Sequence, residues 1–203
     1  MITIRKIIIF YAVALSLISC TNNPCEDIVC GDYGTCNDGL CECNTGYFLN
    51  SNGICVDSCS VIVCGDHGTC FQSVCICELG YEKDAQGLCN TEIRTKFQGT
   101  WTVVDNCSQS GIASYTVSVT ASTANIFEVK FTNFWGTFVN QTKATVDVNT
   151  ISIARQQPDN DNYFISGAGT INAVANSITW NYNISDETGT SPQVNVCTAT
   201  WTK

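Results

Sequence analysis

The sequence predicts a mostly β protein with two small disulfide-rich modules followed by an antiparallel β-barrel; a β-sandwich is the alternative. The chain has 15 cysteines, and 12 of them form two copies of one spacing before residue 90. Beyond that point Thr, Val, Ile and Asn dominate, apolar and polar residues alternate, and turn residues recur at intervals of about 8–12 residues. No long stretch has the 3.6-residue period of a helix, so strands account for the remaining domain.

The N-terminal third is a tandem repeat. The first copy holds Cys25, Cys30, Cys36, Cys41, Cys43 and Cys55, and the second holds Cys59, Cys64, Cys70, Cys75, Cys77 and Cys89, each 34 residues after its counterpart. Such a fixed period is typical of repeated modules. Each copy spans only 31 residues, so disulfides have to stabilise what a small core cannot. A zinc module is excluded because the chain has no C-x2-C pair and one histidine, His67.

Both copies contain C-x-C-x-x-G-Y followed by seven residues and a cysteine, as in Cys41 to Cys55. This pattern resembles the EGF-like family in its compact, tenascin-like spacing, with modules at residues 25–55 and 59–89. Sequence alone leaves 15 pairings open for six cysteines. The resemblance implies pairing of first with third, second with fourth and fifth with sixth cysteine. The implied bonds are Cys25–Cys36, Cys30–Cys41, Cys43–Cys55, Cys59–Cys70, Cys64–Cys75 and Cys77–Cys89.

Residues 1–19 have the features of a signal peptide. Arg5 and Lys6 precede an apolar run of about a dozen residues, which is too short for a membrane span. The run ends in Leu17-Ile18-Ser19-Cys20, which resembles the bacterial lipobox. That resemblance implies cleavage before Cys20, lipidation of its thiol and a short tether over residues 20–24. We therefore expect a bacterial cell-envelope protein, lipid-anchored in the outer membrane or at the cell surface; an ordinary secretory signal is the alternative.

Charge and motif content narrow the possible partners. Nine basic and 18 acidic residues give a net charge of −9, which becomes −11 once Arg5 and Lys6 leave with the signal peptide. A polyanion would be repelled, so no nucleic acid partner is expected. The residues before each repeat lack the D-x-[DN]-[EQ] sequence of calcium-binding EGF-like modules, and the loops between their third and fourth cysteines hold four residues. We expect no metal site and no calcium binding by these modules.

The domain at residues 97–203 is expected to close on itself. Cys107 follows its first predicted strand and Cys197 lies in its last, and no other cysteine is present there. In an antiparallel pair the numbers of opposing residues have a constant sum. A Cys107–Cys197 disulfide gives 304, which places Val103 opposite Trp201 and joins the terminal strands into a barrel.

A second resemblance supports closure. Gly99-Thr100-Trp101 is similar to the G-x-W motif of lipocalin-like (calycin) proteins, whose first and last strands also meet. Gly136, Gly167 and Gly169 fall within strand patterns and predict bulges or tight bends. The four tryptophans, Trp101, Trp135, Trp180 and Trp201, are expected to pack in the core.

The sequence contains no recognisable catalytic residues and implies no cofactor, so an enzyme is not expected. Its one histidine lies inside a disulfide loop, and no sequence context singles out Glu128, Asp147 or Asp159 as a carboxylate pair. We expect a non-enzymatic binding or adhesion module, in which an EGF-like stalk presents the β-domain to an external protein or glycan. The alternative is a lipocalin-like carrier of a small apolar ligand. A cavity in the β-domain would favour the carrier, and a solid core the binding module.

Overall fold

The computed structural model describes residues 23–203, so the predictions for the signal peptide and Cys20 lie outside the described residues. The protein is mostly β, as predicted. Its contacts divide it after Ser58 into two compact units, which are described separately below. Across residues 23–203 no helix has both the length and the apolar character needed to cross a membrane.

The first module consists of two short antiparallel hairpins. Its strands are β1 (Gly34–Asn37), β2 (Leu40–Cys43), β3 (Tyr47–Leu49) and β4 (Cys55–Asp57). Its disulfides are Cys25–Cys36, Cys30–Cys41 and Cys43–Cys55, the pairing that the EGF-like resemblance implies. Tyr47 stacks on Tyr33 with ring centroids 4.1 Å apart. Aromatic stacking thus adds to the disulfides in a unit with a very small core.

The second module repeats this plan within the unit that also contains the barrel. Its strands are β5 (Gly68–Phe71), β6 (Val74–Cys77) and β7 (Tyr81–Glu82), and β7 pairs with β8 (Thr91–Glu92). Its disulfides are Cys59–Cys70, Cys64–Cys75 and Cys77–Cys89. Because β8 follows the last cysteine of the repeat, the segment before the barrel is ordered as part of the module.

The C-terminal domain is a closed antiparallel barrel of eight strands. They are β9 (Gly99–Cys107), β10 (Gly111–Ala121), β11 (Glu128–Thr132), β12 (Thr142–Asp147), β13 (Thr150–Gln156), β14 (Tyr163–Ile171), β15 (Ser177–Asp186) and β16 (Gln193–Thr202). Each strand pairs with its neighbour in sequence, and β16 closes on β9 with Cys197 opposite Cys107 and Trp201 opposite Val103. The predicted register is confirmed, and a disulfide joins the two cysteines.

Aromatic side chains fill the barrel interior. Trp101, Trp180 and Trp201 are fully buried, and Trp180 and Trp201 have ring centroids 5.1 Å apart. Phe131 and Phe134 pack edge-on against Trp180 at 5.8 and 5.9 Å. The interior is therefore a packed core, as predicted for three of the four tryptophans. Trp135 is the exception because it lies in a loop at one barrel end and is only half-buried.

Two glycines of β14 make room for this aromatic core. Gly167 lies opposite Tyr182 and Gly169 opposite Trp180. A Cβ on Gly167 would lie 2.3 Å from the Tyr182 Cβ, and one on Gly169 would lie 2.7 Å from the Trp180 ring. The β13–β14 pairing also shifts register next to Gly167, so the irregularity predicted there is present, whereas Gly136 lies in the loop after β11 and not within a strand. Larger residues here would force the aromatic side chains out of position.

A short 3-10 helix, Ile93–Phe97, closes the barrel end at which β9 begins. Its Ile93 and Phe97 belong to the barrel core, and the indole Nε1 of Trp101 donates a 2.8 Å hydrogen bond to the Phe97 carbonyl. We call this the sealed end. The opposite end, where β9 finishes, is the mouth, formed by the loops at residues 108–110, 133–141, 157–162 and 187–192.

Candidate functional site: a cleft at the barrel mouth

Two adjacent depressions of about 260 Å³ each lie at the mouth and share Trp135 and Tyr163. We call them together the mouth cleft. The remaining lining residues are Gln109, Ser110, Thr137, Phe138, Asp159, Asp161, Ile184, Asp186, Gln193 and Asn195. The lining therefore combines a few aromatic side chains with convergent polar groups, which makes this concave surface a candidate ligand site.

The loop after β11 holds Trp135 in an unusual conformation. Asn133 and Trp135 have φ values of 66° and 59°, in the left-handed region that non-glycine residues rarely occupy. The Asn133 side-chain amide donates a 2.8 Å hydrogen bond to the Thr116 carbonyl, which anchors this turn on β10. The centroid of the Trp135 ring then lies 5.9 Å from that of Phe138 and 6.4 Å from that of Tyr163. Backbone strain that is retained around a half-buried indole is typical of a functional position.

Three carboxylates of the cleft organise its loops. Asp159 accepts hydrogen bonds from the backbone N–H groups of Val139 and Asn140 at 2.9 and 2.7 Å. Asp161 accepts the backbone N–H of Tyr163 at 3.1 Å. These bonds tie the loop at residues 157–162 both to the neighbouring loop and to the start of β14.

Asp186 connects a third loop to the same site. It accepts the hydroxyl of Thr188 at 2.7 Å and its backbone N–H at 3.0 Å, and the Tyr163 hydroxyl at 3.1 Å. The bonds from Thr188 keep the pKa of Asp186 below its ordinary value, and Asp186 in turn raises the pKa of Tyr163. At neutral pH the cleft therefore presents an ionised Asp186 beside a neutral phenol.

The electrostatic character of the cleft is negative. Its lining includes Asp159, Asp161 and Asp186 and no Lys or Arg. Arg155 is paired with Glu187 at 2.5 Å and lies outside the lining. An anionic ligand would meet repulsion here, whereas a cationic or neutral ligand would not.

A buried polar cluster lies inside the barrel next to Trp135. The Tyr115 hydroxyl donates a 2.6 Å hydrogen bond to Asp105, which is almost fully buried, and interacts with the backbone N–H of Trp135. The Tyr182 hydroxyl approaches the same carboxylate without ordinary hydrogen-bond geometry. Burial raises the pKa of Asp105 against the opposing effect of the Tyr115 bond. Sequence reasoning missed this cluster because Asp105 lies within an otherwise regular strand pattern.

The carboxylates considered from sequence do not meet in one place. Asp159 lies in the mouth cleft, Glu128 starts β11 near the sealed end, and Asp147 ends β12 at that same end. Sequence reasoning overlooked Tyr163 and Asp186, and it predicted Trp135 in the core rather than in the cleft. The one available signal was Asn133-Phe134-Trp135-Gly136, an aromatic sequence flanked by two turn-forming residues.

No family model and no curated protein matches the chain. Among solved structures, a redesigned β-barrel aligns with a TM-score of 0.41 and 14% identity, covering 55% of this chain and 94% of the other. EF1p2_mFAP2b bound to DFHBI aligns with a TM-score of 0.41 and 18% identity, covering 55% of this chain and 96% of the other.

Proposed function

We propose that this protein is a non-enzymatic binding module whose barrel takes an external partner in the mouth cleft. The observation that carries this proposal is an aromatic-lined cleft held by ordered loops at one end of a barrel with a solid interior. Loops on a rigid β-scaffold are common sites of recognition, because their sequence can vary while the strands stay fixed.

The packed interior argues against a carrier of a small apolar ligand. Such a ligand would have to displace several of the buried rings, among them Trp180, Trp201 and Phe134, which contact one another at 5.1 to 5.9 Å. Displacing well-packed aromatic side chains costs several kcal/mol each. A ligand at the mouth requires no such rearrangement.

The attachment of the barrel also favours binding at the mouth. The second module joins the barrel at the sealed end, where Lys96 bridges Glu82 and Asn149 at 2.6 and 3.2 Å. The mouth loops lie at the opposite end of the barrel. In this proposal lipidated Cys20 anchors the protein in the bacterial envelope, and two EGF-like modules serve as the spacer between the anchor and the barrel.

The composition of the cleft supports binding rather than catalysis. Its lining includes neither His nor Cys, and both oxygens of Asp159 and of Asp186 accept backbone or hydroxyl donors of its own loops. A general base needs a carboxylate oxygen free to reach a substrate proton. These carboxylates instead fix the shape of the site.

The proposal is tested with a protein and glycan array probed with the full chain. We expect Trp135→Leu to lose the recognised partner, whereas Val174→Ser, a change of another exposed apolar residue near the sealed end, should retain it. Circular dichroism shows whether each variant keeps the barrel. Binding that survives Trp135→Leu, or that requires only residues 25–89, would contradict a role for the mouth cleft.

A further inference from the structure

We infer that the ligand group recognised in the mouth cleft is an organic cation, an alkylated ammonium seated against the rings of Trp135 and Tyr163. This inference rests on the proposed function, because it names the chemistry of the same cleft. It is carried by two features that have different origins: the aromatic surfaces of the cleft and the way its carboxylates are used.

The first feature is a pair of half-exposed rings that border both depressions. A cation within about 6 Å of an aromatic centroid is attracted by the negative face of the ring, and Trp and Tyr are the strongest partners. Trp135 and Tyr163 are 6.4 Å apart, so one alkylammonium group can contact both side chains. The methyl or methylene groups of such a ligand also gain from leaving water against the exposed parts of these two rings.

The second feature is that the carboxylates offer charge and few hydrogen bonds. Both oxygens of Asp159 accept backbone N–H groups, and both oxygens of Asp186 accept donors from Thr188 and Tyr163. A sugar needs directed acceptors for its hydroxyl groups, and the oxygens of Asp159 and Asp186 are already engaged by the loops, whereas Asp161 has one oxygen bonded to the Tyr163 backbone N–H. A quaternary ammonium has no N–H to direct, so it profits from the negative potential alone.

Charge complementarity also excludes the opposite class of ligand. Three carboxylates with no Lys or Arg in the lining repel phosphates, sulfates and acidic sugars. The other groups at the rim, from Gln109, Gln193 and Asn195, are neutral, and those of Asn195 are bonded to Ser110 and the Gln109 backbone. The cleft therefore discriminates by the sign of the charge.

The experiment compares choline with its neutral isostere 3,3-dimethylbutan-1-ol in NMR titrations of the full chain, read at the Trp135 indole N–H. We expect choline to shift this signal and the isostere to bind at least about fivefold more weakly, because only charge differs between them. The affinity for choline should also fall as salt is raised, since the carboxylates are near the surface.

Charge-removing variants provide the matched test. Asp161→Asn keeps the oxygen that accepts the Tyr163 backbone N–H, and Asp186→Asn keeps the oxygen that accepts both donors of Thr188, while its amide group replaces the oxygen that accepts the Tyr163 hydroxyl. Each variant should weaken choline binding about two- to fivefold. Asp147→Asn is the control, because it removes an exposed charge at the far end of β12 and should leave the affinity unchanged. Unchanged NMR signals from residues outside the cleft establish that each variant keeps the barrel intact.

The possible outcomes separate this inference from the proposed function. Three results would each contradict a cationic ligand. They are equal affinities for choline and its isostere, no shift of the Trp135 signal up to 100 mM choline, and equal effects of all three Asp variants on the affinity for choline. If methyl glucoside shifts the signal while choline does not, the inference fails and the binding function stands. If the partner found on the array binds the Trp135→Leu variant as well as the wild type, the proposed binding function of the mouth cleft is contradicted as well.

Discussion

The two ends of the barrel are built from the same eight strands but are closed by different side chains. At the sealed end Phe97 is fully buried, and Arg94 donates to the Asn125 carbonyl at 2.8 Å and to the Ser122 carbonyl. At the mouth the loops are held by carboxylates and leave Trp135 and Tyr163 half-exposed. The sealed end is closed by packed apolar side chains, whereas the mouth retains strained backbone at Asn133 and Trp135.

The largest expected effect concerns the strand pair that ends at the mouth. Replacing Cys107 and Cys197 together with Ala should destabilise the protein by about 4–5 kcal/mol in the chain-entropy description, because the bond closes a loop with a sequence separation of 90. Chemical denaturation under non-reducing conditions measures the change. A loss below about 1 kcal/mol would show that β9–β16 pairing closes the barrel without help from the disulfide.

At the sealed end, Phe97→Ala should cost about 3–4 kcal/mol, since it deletes a fully buried ring and leaves a cavity beside Trp101. Val139→Ala at the mouth is the control, because Val139 is 84% exposed and its loss should cost less than about 0.5 kcal/mol. Urea unfolding of both variants gives the comparison. Similar losses for the two would mean that the ends do not differ in their contribution to stability.

Two arginines allow a closer comparison. Arg94→Met at the sealed end removes charged hydrogen bonds to two carbonyls from a side chain that is 11% exposed, and it should cost about 2–3 kcal/mol. Arg155→Met near the mouth breaks an ion pair with Glu187 from a side chain that is 54% exposed, and it should cost about 0–1 kcal/mol. The reverse order in urea unfolding would contradict the assignment of stability to the sealed end.

Much of the fold could be predicted because period-two alternation and the position of two cysteines determine barrel topology. The sum rule placed Val103 opposite Trp201, and the structure has this pairing. The same alternation failed at Val148, which continues the pattern of Val146 but lies 57% exposed in the β12–β13 turn with φ of 40°. A tight turn requires such conformations whatever the residue type, so side-chain pattern alone cannot locate it.

The candidate site was much less predictable. The sequence predicts Trp135 in the core because large aromatic residues are usually well buried. It is half-exposed because residues 133–136 leave the strand direction through two left-handed residues, and no alternation signals that change. Tyr163 and Asp186 are 23 residues apart in sequence and meet only through β14–β15 pairing. Sites assembled from several loops depend on barrel closure, which has to be known first.

The smallest expected effect is a pH dependence that originates at the mouth side of the core. Burial raises the folded-state pKa of Asp105, so its proton is held more tightly in the folded than in the unfolded chain. Its contribution to stability is therefore complete below the unfolded pKa of about 3.8 and is lost as the pH rises through the folded value.

Asp105→Asn removes this titration while its amide oxygen can still accept the hydrogen bond from Tyr115. The lowered pKa values of Asp186 and Glu187 act in the opposite direction, since they stabilise the fold as the pH rises above their unfolded values. The contribution of Asp105 is therefore obtained from the difference in unfolding free energy between the variant and the wild type at each pH. We expect the stability of Asp105→Asn relative to wild type to increase between pH 4 and pH 7 in urea unfolding. If the difference in unfolding free energy between variant and wild type is constant or decreases over this range, the hydrogen bond from Tyr115 outweighs the cost of burying the Asp105 charge. Ionised Asp105 would then not destabilise the mouth side of the core relative to the sealed end.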